Sequence, residues 1–189
     1  MKTSIKSTIV ALFAFIATTT FAQDNKTIDT ASSAISWKAK KVTGSHEGTL
    51  NFKEGTLIFD GDALTGGTLT VDMTTIVVTD LETGKGKEKL EGHLNSDDFF
   101  GVESHPTAIL AIKEVTKTDA GYTATGELTI KGATNPITFD LTPSEGGMIT
   151  TLKVDRTKYD IKYGSGSFFD NLGDKAINDE FTLDVVLKY

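Results

Sequence analysis

The 189-residue sequence contains no cysteine, which excludes disulfides, thiolate metal sites and thiol nucleophiles together. Proline occurs three times and tryptophan once. Neither a proline-rich nor a serine-rich linker divides the chain, so a single domain is expected. Positive charge is also scarce: 19 lysines and arginines face 26 acidic residues, and Arg156 is the lone arginine. A net charge of -7 argues against a nucleic-acid partner held through a basic surface. What is present is enough apolar sequence, 38%, for one ordinary core, in a threonine- and glycine-rich composition that leans toward β-structure.

The first residues read as an address. Lys2 and Lys6 precede an apolar run from Ile9 to Ala17, and small residues to Ala22 lead into the polar Gln23, Asp24 and Asn25. This is the pattern of a secretory signal peptide, residues 1–22, cleaved after Ala22. The run is about half the ~20 residues that span a bilayer, which disfavours a membrane anchor. Residues 23–189 are then expected to form an acidic protein that is periplasmic or secreted.

From Ile35 onward apolar residues recur at a period of two, as in strands with one wet and one dry face. Ile35, Trp37 and Ala39 alternate with Ser36, Lys38 and Lys40. The pattern returns at Leu50 and Phe52 and at Leu57 and Phe59, separated by the turn signal Glu54-Gly55, and at Leu69, Val71 and Met73 after Gly66-Gly67. It continues through Ala108, Leu110 and Ile112; Tyr122, Ala124, Leu128 and Ile130; Ile137, Phe139 and Leu141; Leu152 and Val154; and the group from Phe181 to Leu187. About eight antiparallel strands are predicted, and their periodicity alone is compatible with a barrel or a sandwich. Two segments break the rhythm. Lys87 to Asn95 has Leu90 and Leu94 at helical spacing and predicts a short amphipathic helix, whereas residues 164–175 are aperiodic.

Catalytic and metal-binding signatures are not found. His46, His93 and His105 lie in separate segments without zinc-ligand spacing. The glycines of Gly164-Ser165-Gly166-Ser167 are out of register for a nucleophile elbow. Gly84-Lys85-Gly86-Lys87 lacks the rest of a phosphate loop, and Asp170, Asn171 and Asp174 lack calcium-loop spacing. A non-enzymatic protein without a resident metal or cofactor is expected. His93 reads either as a helix residue bonded to nearby backbone or as a polar contact to a ligand. Arg156 reads as an ion-pair partner of Asp155, Asp179 or Glu180, or as a grip on a polar head group. Phe99-Phe100 and Phe168-Phe169 both fall in segments that interrupt the strands. Each pair is expected to be buried, as a plug at a barrel end or as the lining of an apolar entrance.

The run His93-Leu94-Asn95-Ser96-Asp97-Asp98-Phe99-Phe100, continuing to His105-Pro106-Thr107-Ala108, resembles the signature of the YceI-like family of secreted bacterial lipid-binding proteins. The resemblance extends through Gly126-Glu127-Leu128-Thr129-Ile130-Lys131-Gly132 with Pro136 following, and through Asp155-Arg156-Thr157-Lys158-Tyr159. It departs from the commoner pattern where Asp160 follows Tyr159, and in the insertion-like stretch from Tyr163 to Phe169.

The resemblance implies an all-β fold, an eight-stranded antiparallel lipocalin-like barrel holding a long-chain lipid: a polyisoprenoid, an isoprenoid quinone or a fatty-acid derivative. It also implies a homodimer as a common assembly. On that basis Trp37, Phe52, Phe59, Leu69, Val71, Leu110, Ile112, Leu128, Ile130, Phe139 and Leu152 are the expected walls. Leu94, Phe99 and Phe100 are the expected gate, with Phe168 and Phe169 at an entrance. His93, Arg156 and Tyr159 are the expected head-group contacts. Membrane contact is expected to be transient at most, given the acidic surface. The competing reading is a secreted, stress-associated structural module whose barrel is packed solid and whose surface binds a protein.

Overall fold

The computed structural model describes residues 23–189, so the expected signal peptide lies outside the described residues. Nine strands form one antiparallel sheet: β1 (Gln23–Thr27), β2 (Ala34–Lys41), β3 (Gly44–Asp60), β4 (Ala63–Val78), β5 (Thr107–Thr118), β6 (Gly121–Ile130), β7 (Ala133–Ser144), β8 (Gly147–Asp155) and β9 (Ile177–Lys188). The order is β1-β3-β2-β9-β8-β7-β6-β5-β4, and pairing of β3 with β4 closes it into a barrel. Both β1 and β2 pair with β3, residues 23–27 opposite 56–60 and residues 35–41 opposite 44–50. They share one strand position, interrupted by a loop that stays on the wall through Ile28 N–H to Gly55 O (3.0 Å) and Asp29 N–H to Lys188 O (2.7 Å). The nine strands thus fill eight places in the barrel.

The expected turn at Glu54-Gly55 is strand interior, as is the Gly66-Gly67 pair. Glu54-Gly55 lies within β3 and Gly66-Gly67 within β4, where the ladder carries register shifts between Phe52 and Glu54 and between Ile58 and Phe59. A long strand must bend to follow a barrel wall, and bulges and glycines are where strands bend. A Cβ on Gly55 would lie 2.7 Å from Leu69 and 2.8 Å from Ile28, so glycine here also permits the close approach of neighbouring side chains. Periodicity does not distinguish such a bend from a hairpin.

The helix α1 (Lys87–Asn95) matches the expected span, with Leu94 buried and Gly92 on the open side. Glu91 accepts the Val78 N–H at 2.9 Å and ties the helix to the end of β4. After α1, Phe100 N–H to Leu94 O (3.1 Å) and Gly101 N–H to Ser96 O (2.8 Å) fold the chain back, so Phe99 and Phe100 turn into the barrel end. A 3-10 turn (Arg156–Tyr159) follows β8, and a second (Gly173–Lys175) lies in the expected loop.

One joint of the wall is short. β7 and β8 pair only at Thr142–Ile149, Pro143–Met148 and Ser144–Gly147, next to their hairpin turn. Beyond that, β7 remains paired to β6 as far as Ala133, and β8 to β9 as far as Asp155.

Candidate functional site

Alternation along the strands places one apolar set inward. Phe52, Leu69, Val71, Leu110, Ile112, Leu128, Ile130, Phe139 and Leu152, all expected wall residues, line a cavity of about 80 Å³ in the barrel. Leu50, Phe181, Leu183, Val185 and Leu187 join them. Their alternation in sequence marks these too as inward positions, but nothing in it distinguishes them as site residues. Among the described residues Thr150 is the one polar side chain in the lining, and its hydroxyl already donates to Asp140 O at 2.5 Å. Such a wall offers hydrocarbon contacts and no charged anchor.

Phe100, Phe181, Leu50 and Leu183 separate this cavity from a second of about 60 Å³, which reaches Trp37, Leu94, Phe99 and Arg156. Trp37, Leu94 and Phe99 also border a third of about 70 Å³, reaching His93, His46, Lys40 and Lys41 under the helix. The three spaces run in series from the barrel centre to its helix-covered end. Their partitions are aromatic edges: Phe100 and Phe181 meet at 6.4 Å between centroids, and Phe99 and Phe100 at 5.4 Å. His93 packs edge-on against Tyr163 (4.4 Å) and Phe99 (5.3 Å). Its Nε2 and the Trp37 Nε1 are buried with no hydrogen-bond partner among the described residues.

Other expected site residues lie elsewhere. Phe59 is buried but packs on Tyr189 at 5.6 Å, with the Lys26 ammonium over its ring, outside all three spaces. Tyr159 is buried outside them as well, and burial followed by the Asp155 charge raises its phenol above the ordinary value. Arg156 is 2% exposed. Its Nε donates to Asn178 O (3.0 Å), Nη1 to Ile161 O (2.8 Å) and Tyr163 O (2.9 Å), and Nη2 to Ile177 O (3.0 Å) and Asp179 (3.5 Å). These bonds engage all five guanidinium N–H groups. The arginine therefore clamps the late loop to β9, and a head group would have to displace those bonds. Burial lowers its pKa, opposed by Asp179 and Asp155. Burial also works to raise the Asp179 carboxyl, but the hydroxyls of Ser165 and Ser167 and the Arg156 charge outweigh it and hold the group below its ordinary value.

The two diphenylalanine pairs part company. Phe99 and Phe100 are buried, whereas Phe168 and Phe169 are 50% and 51% exposed, which corrects the expectation that both pairs are covered. The base of the loop is fixed by the Arg156 clamp and the fully buried Ser165, whose carbonyl accepts Phe168 N–H (3.2 Å) and Phe169 N–H (3.0 Å). That tight turn leaves the two rings outside the wall, with Lys162 over Phe168 at 5.2 Å.

The model of the YceI-like domain matches residues 27–189. A UPF0312 protein of Staphylococcus aureus strain USA300 is 31% identical over 155 residues, covering 74% of this chain and 83% of the relative. Among solved structures, Burkholderia cenocepacia BcnA superposes with a TM-score of 0.64 at 20% identity, covering 85% of this chain and 98% of BcnA. A polyisoprenoid binding domain from Saccharophagus degradans, implicated in plant cell wall breakdown, gives 0.57 at 13% identity, covering 89% and 97%. At these identities the structural likenesses establish the fold.

Proposed function

The chain belongs to the YceI-like domain family, and from that premise we propose that it binds one long-chain amphiphile, a polyisoprenoid, an isoprenoid quinone or a fatty-acid derivative, and carries or stores it unchanged. The observation that carries this reading is the series of apolar spaces whose barrel section has a single polar side chain, already bonded within the wall. A buried methylene contributes about 0.8 kcal/mol, so a chain of a dozen carbons outweighs the cost of ordering it without any ionic contact. The name of the Saccharophagus neighbour supports an isoprenoid as the ligand class. The protein acts in the periplasm or outside the cell, and Phe168 and Phe169 give it an apolar surface for brief contact with a membrane. Organic extraction of the protein purified from its native host, followed by mass spectrometry, is expected to yield one lipid per barrel. An empty extract, together with no binding of added isoprenoids, removes the proposal.

A second reading, a filled barrel that binds a protein partner, is favoured by the cavity volume. The central space of about 80 Å³ is smaller than the roughly 150 Å³ that admits benzene in an engineered core. Under the lipid reading the Phe100–Phe181 partition swings aside to join neighbouring spaces. Under the filled-barrel reading it stays shut.

A further inference from the structure

The end of the β7–β8 ladder has consequences for the cavity. Past Thr142–Ile149 no backbone pairing joins the two strands; Thr150 Oγ1 spans the joint by donating to Asp140 O (2.5 Å), and Asn135 Nδ2 ties β7 to the 3-10 turn after β8 by donating to Lys158 O (2.8 Å). Because Asp140 O points at β8, the alternation of an antiparallel strand directs the backbone groups of Thr138 and Pro136 the same way. Proline has no N–H to leave unpaired, and in sheets it is confined to edges and bulges. Pro136 in the middle of β7 is therefore suited to an open joint.

Outside the joint lies a groove of about 770 Å³, and Phe139 and Thr150 border both it and the central cavity. The groove presents the exposed hydroxyls of Thr138 and Thr142 and the carboxylates of Asp140 and Asp184, which accept the Thr123 and Thr151 hydroxyls respectively (both 2.6 Å), and Lys153 is its one cationic side chain among the described residues. Resting on the lipid-binding reading, we infer that this seam is the lateral mouth of the cavity and that the groove holds the ligand's head group, selecting an uncharged hydroxyl or carbonyl over an anion. The tail passes between Phe139 and Thr150 into the barrel. Two carboxylates against one ammonium repel a ligand carboxylate or phosphate, while the Thr138 and Thr142 hydroxyls donate to and accept from a neutral oxygen.

The test is displacement of diphenylhexatriene, an uncharged hydrocarbon probe, by hexadecanol and by hexadecanoate at pH 8. Hexadecanol is expected to displace it at about one tenth of the hexadecanoate concentration, the size of effect for a like charge a few ångströms away near a surface. Asp140→Lys with Asp184→Lys is expected to abolish or reverse that preference. The same charge change at Glu114 and Asp119, on β5 and the turn after it, and His93→Gln at the helix end should both leave it in place. Equal displacement by the two ligands, a preference that survives the groove substitutions, or one that follows His93→Gln overturns the seam as the head-group site while leaving lipid binding intact. A probe that never binds removes lipid binding and the seam together.

Discussion

At the scale of single residues, Arg156 organises more structure than any other side chain described. It is buried, and its bonds run to four backbone carbonyls and one carboxylate. Replacing it by methionine keeps much of its volume but strands those acceptors, each costly to leave unpaired away from water. Arg156→Met is expected to lower stability by about 3 kcal/mol or more, read as a fall in the urea midpoint, with Arg156→Lys recovering only part because an ammonium lacks the planar fork. Asp179 gives the same clamp a pH dependence. Its folded pKa is depressed, so its contribution is present above the unfolded value near 4 and is lost as pH falls through the lower folded value. Thermal melts of the native protein should decline below about pH 4, with a shallower decline in Asp179→Asn. The sequence marked Arg156 because it is unique but left its partners open, since four of them are backbone carbonyls, of Ile161 and Tyr163 just ahead of the 164–175 segment and of Ile177 and Asn178 at the start of β9. The exposure of Phe168 and Phe169 was illegible for the same reason: it is set by where that clamp fixes the loop.

At the scale of elements, close strand approach constrains the wall. A Cβ on Gly48 would lie 1.8 Å from Val77 O and 2.6 Å from the Trp37 ring, so alanine there must push β3 away from β4 or displace the only tryptophan. Gly48→Ala is expected to cost at least the 1–3 kcal/mol typical of overpacking, roughly, and to shift the Trp37 emission, measured together in one fluorescence melt. Strand identity and facing were readable because half-buried strands alternate strictly, as the burial of Ile35, Trp37, Leu128, Ile130, Leu152 and Val154 shows. Helix α1 was readable from Leu90 and Leu94. Strand length was not: bulged bends at Gly55 and Gly66-Gly67 carry the same residues as hairpins. Strand β1 is not legible in the sequence because Gln23 to Thr27 has no apolar alternation, and its backbone bonds to β3 hold it there. Pro136 bears on the short β7–β8 joint only once β8 is known to lie opposite.

At the scale of the whole molecule, Phe100 distinguishes a barrel that is a container from one that is a solid body. Its ring stands between spaces of about 80 and 60 Å³, touching Phe99 and Phe181 at their edges. Removing the ring in Phe100→Ala joins the two spaces and leaves a cavity, at a cost of about 3 kcal/mol in the empty protein. If a lipid chain occupies this path, the enlarged space admits it more readily. At one hundred times its dissociation constant a ligand then restores about 2.7 kcal/mol. Geranylgeraniol is therefore expected to raise the melting temperature of Phe100→Ala by more than it raises that of the native protein. Leu110→Trp, which fills the central space, should abolish the rise while the barrel still folds. A solid barrel gives a different pattern: Phe100→Ala melts lower with or without the isoprenoid, and the native protein and Leu110→Trp are equally indifferent to it.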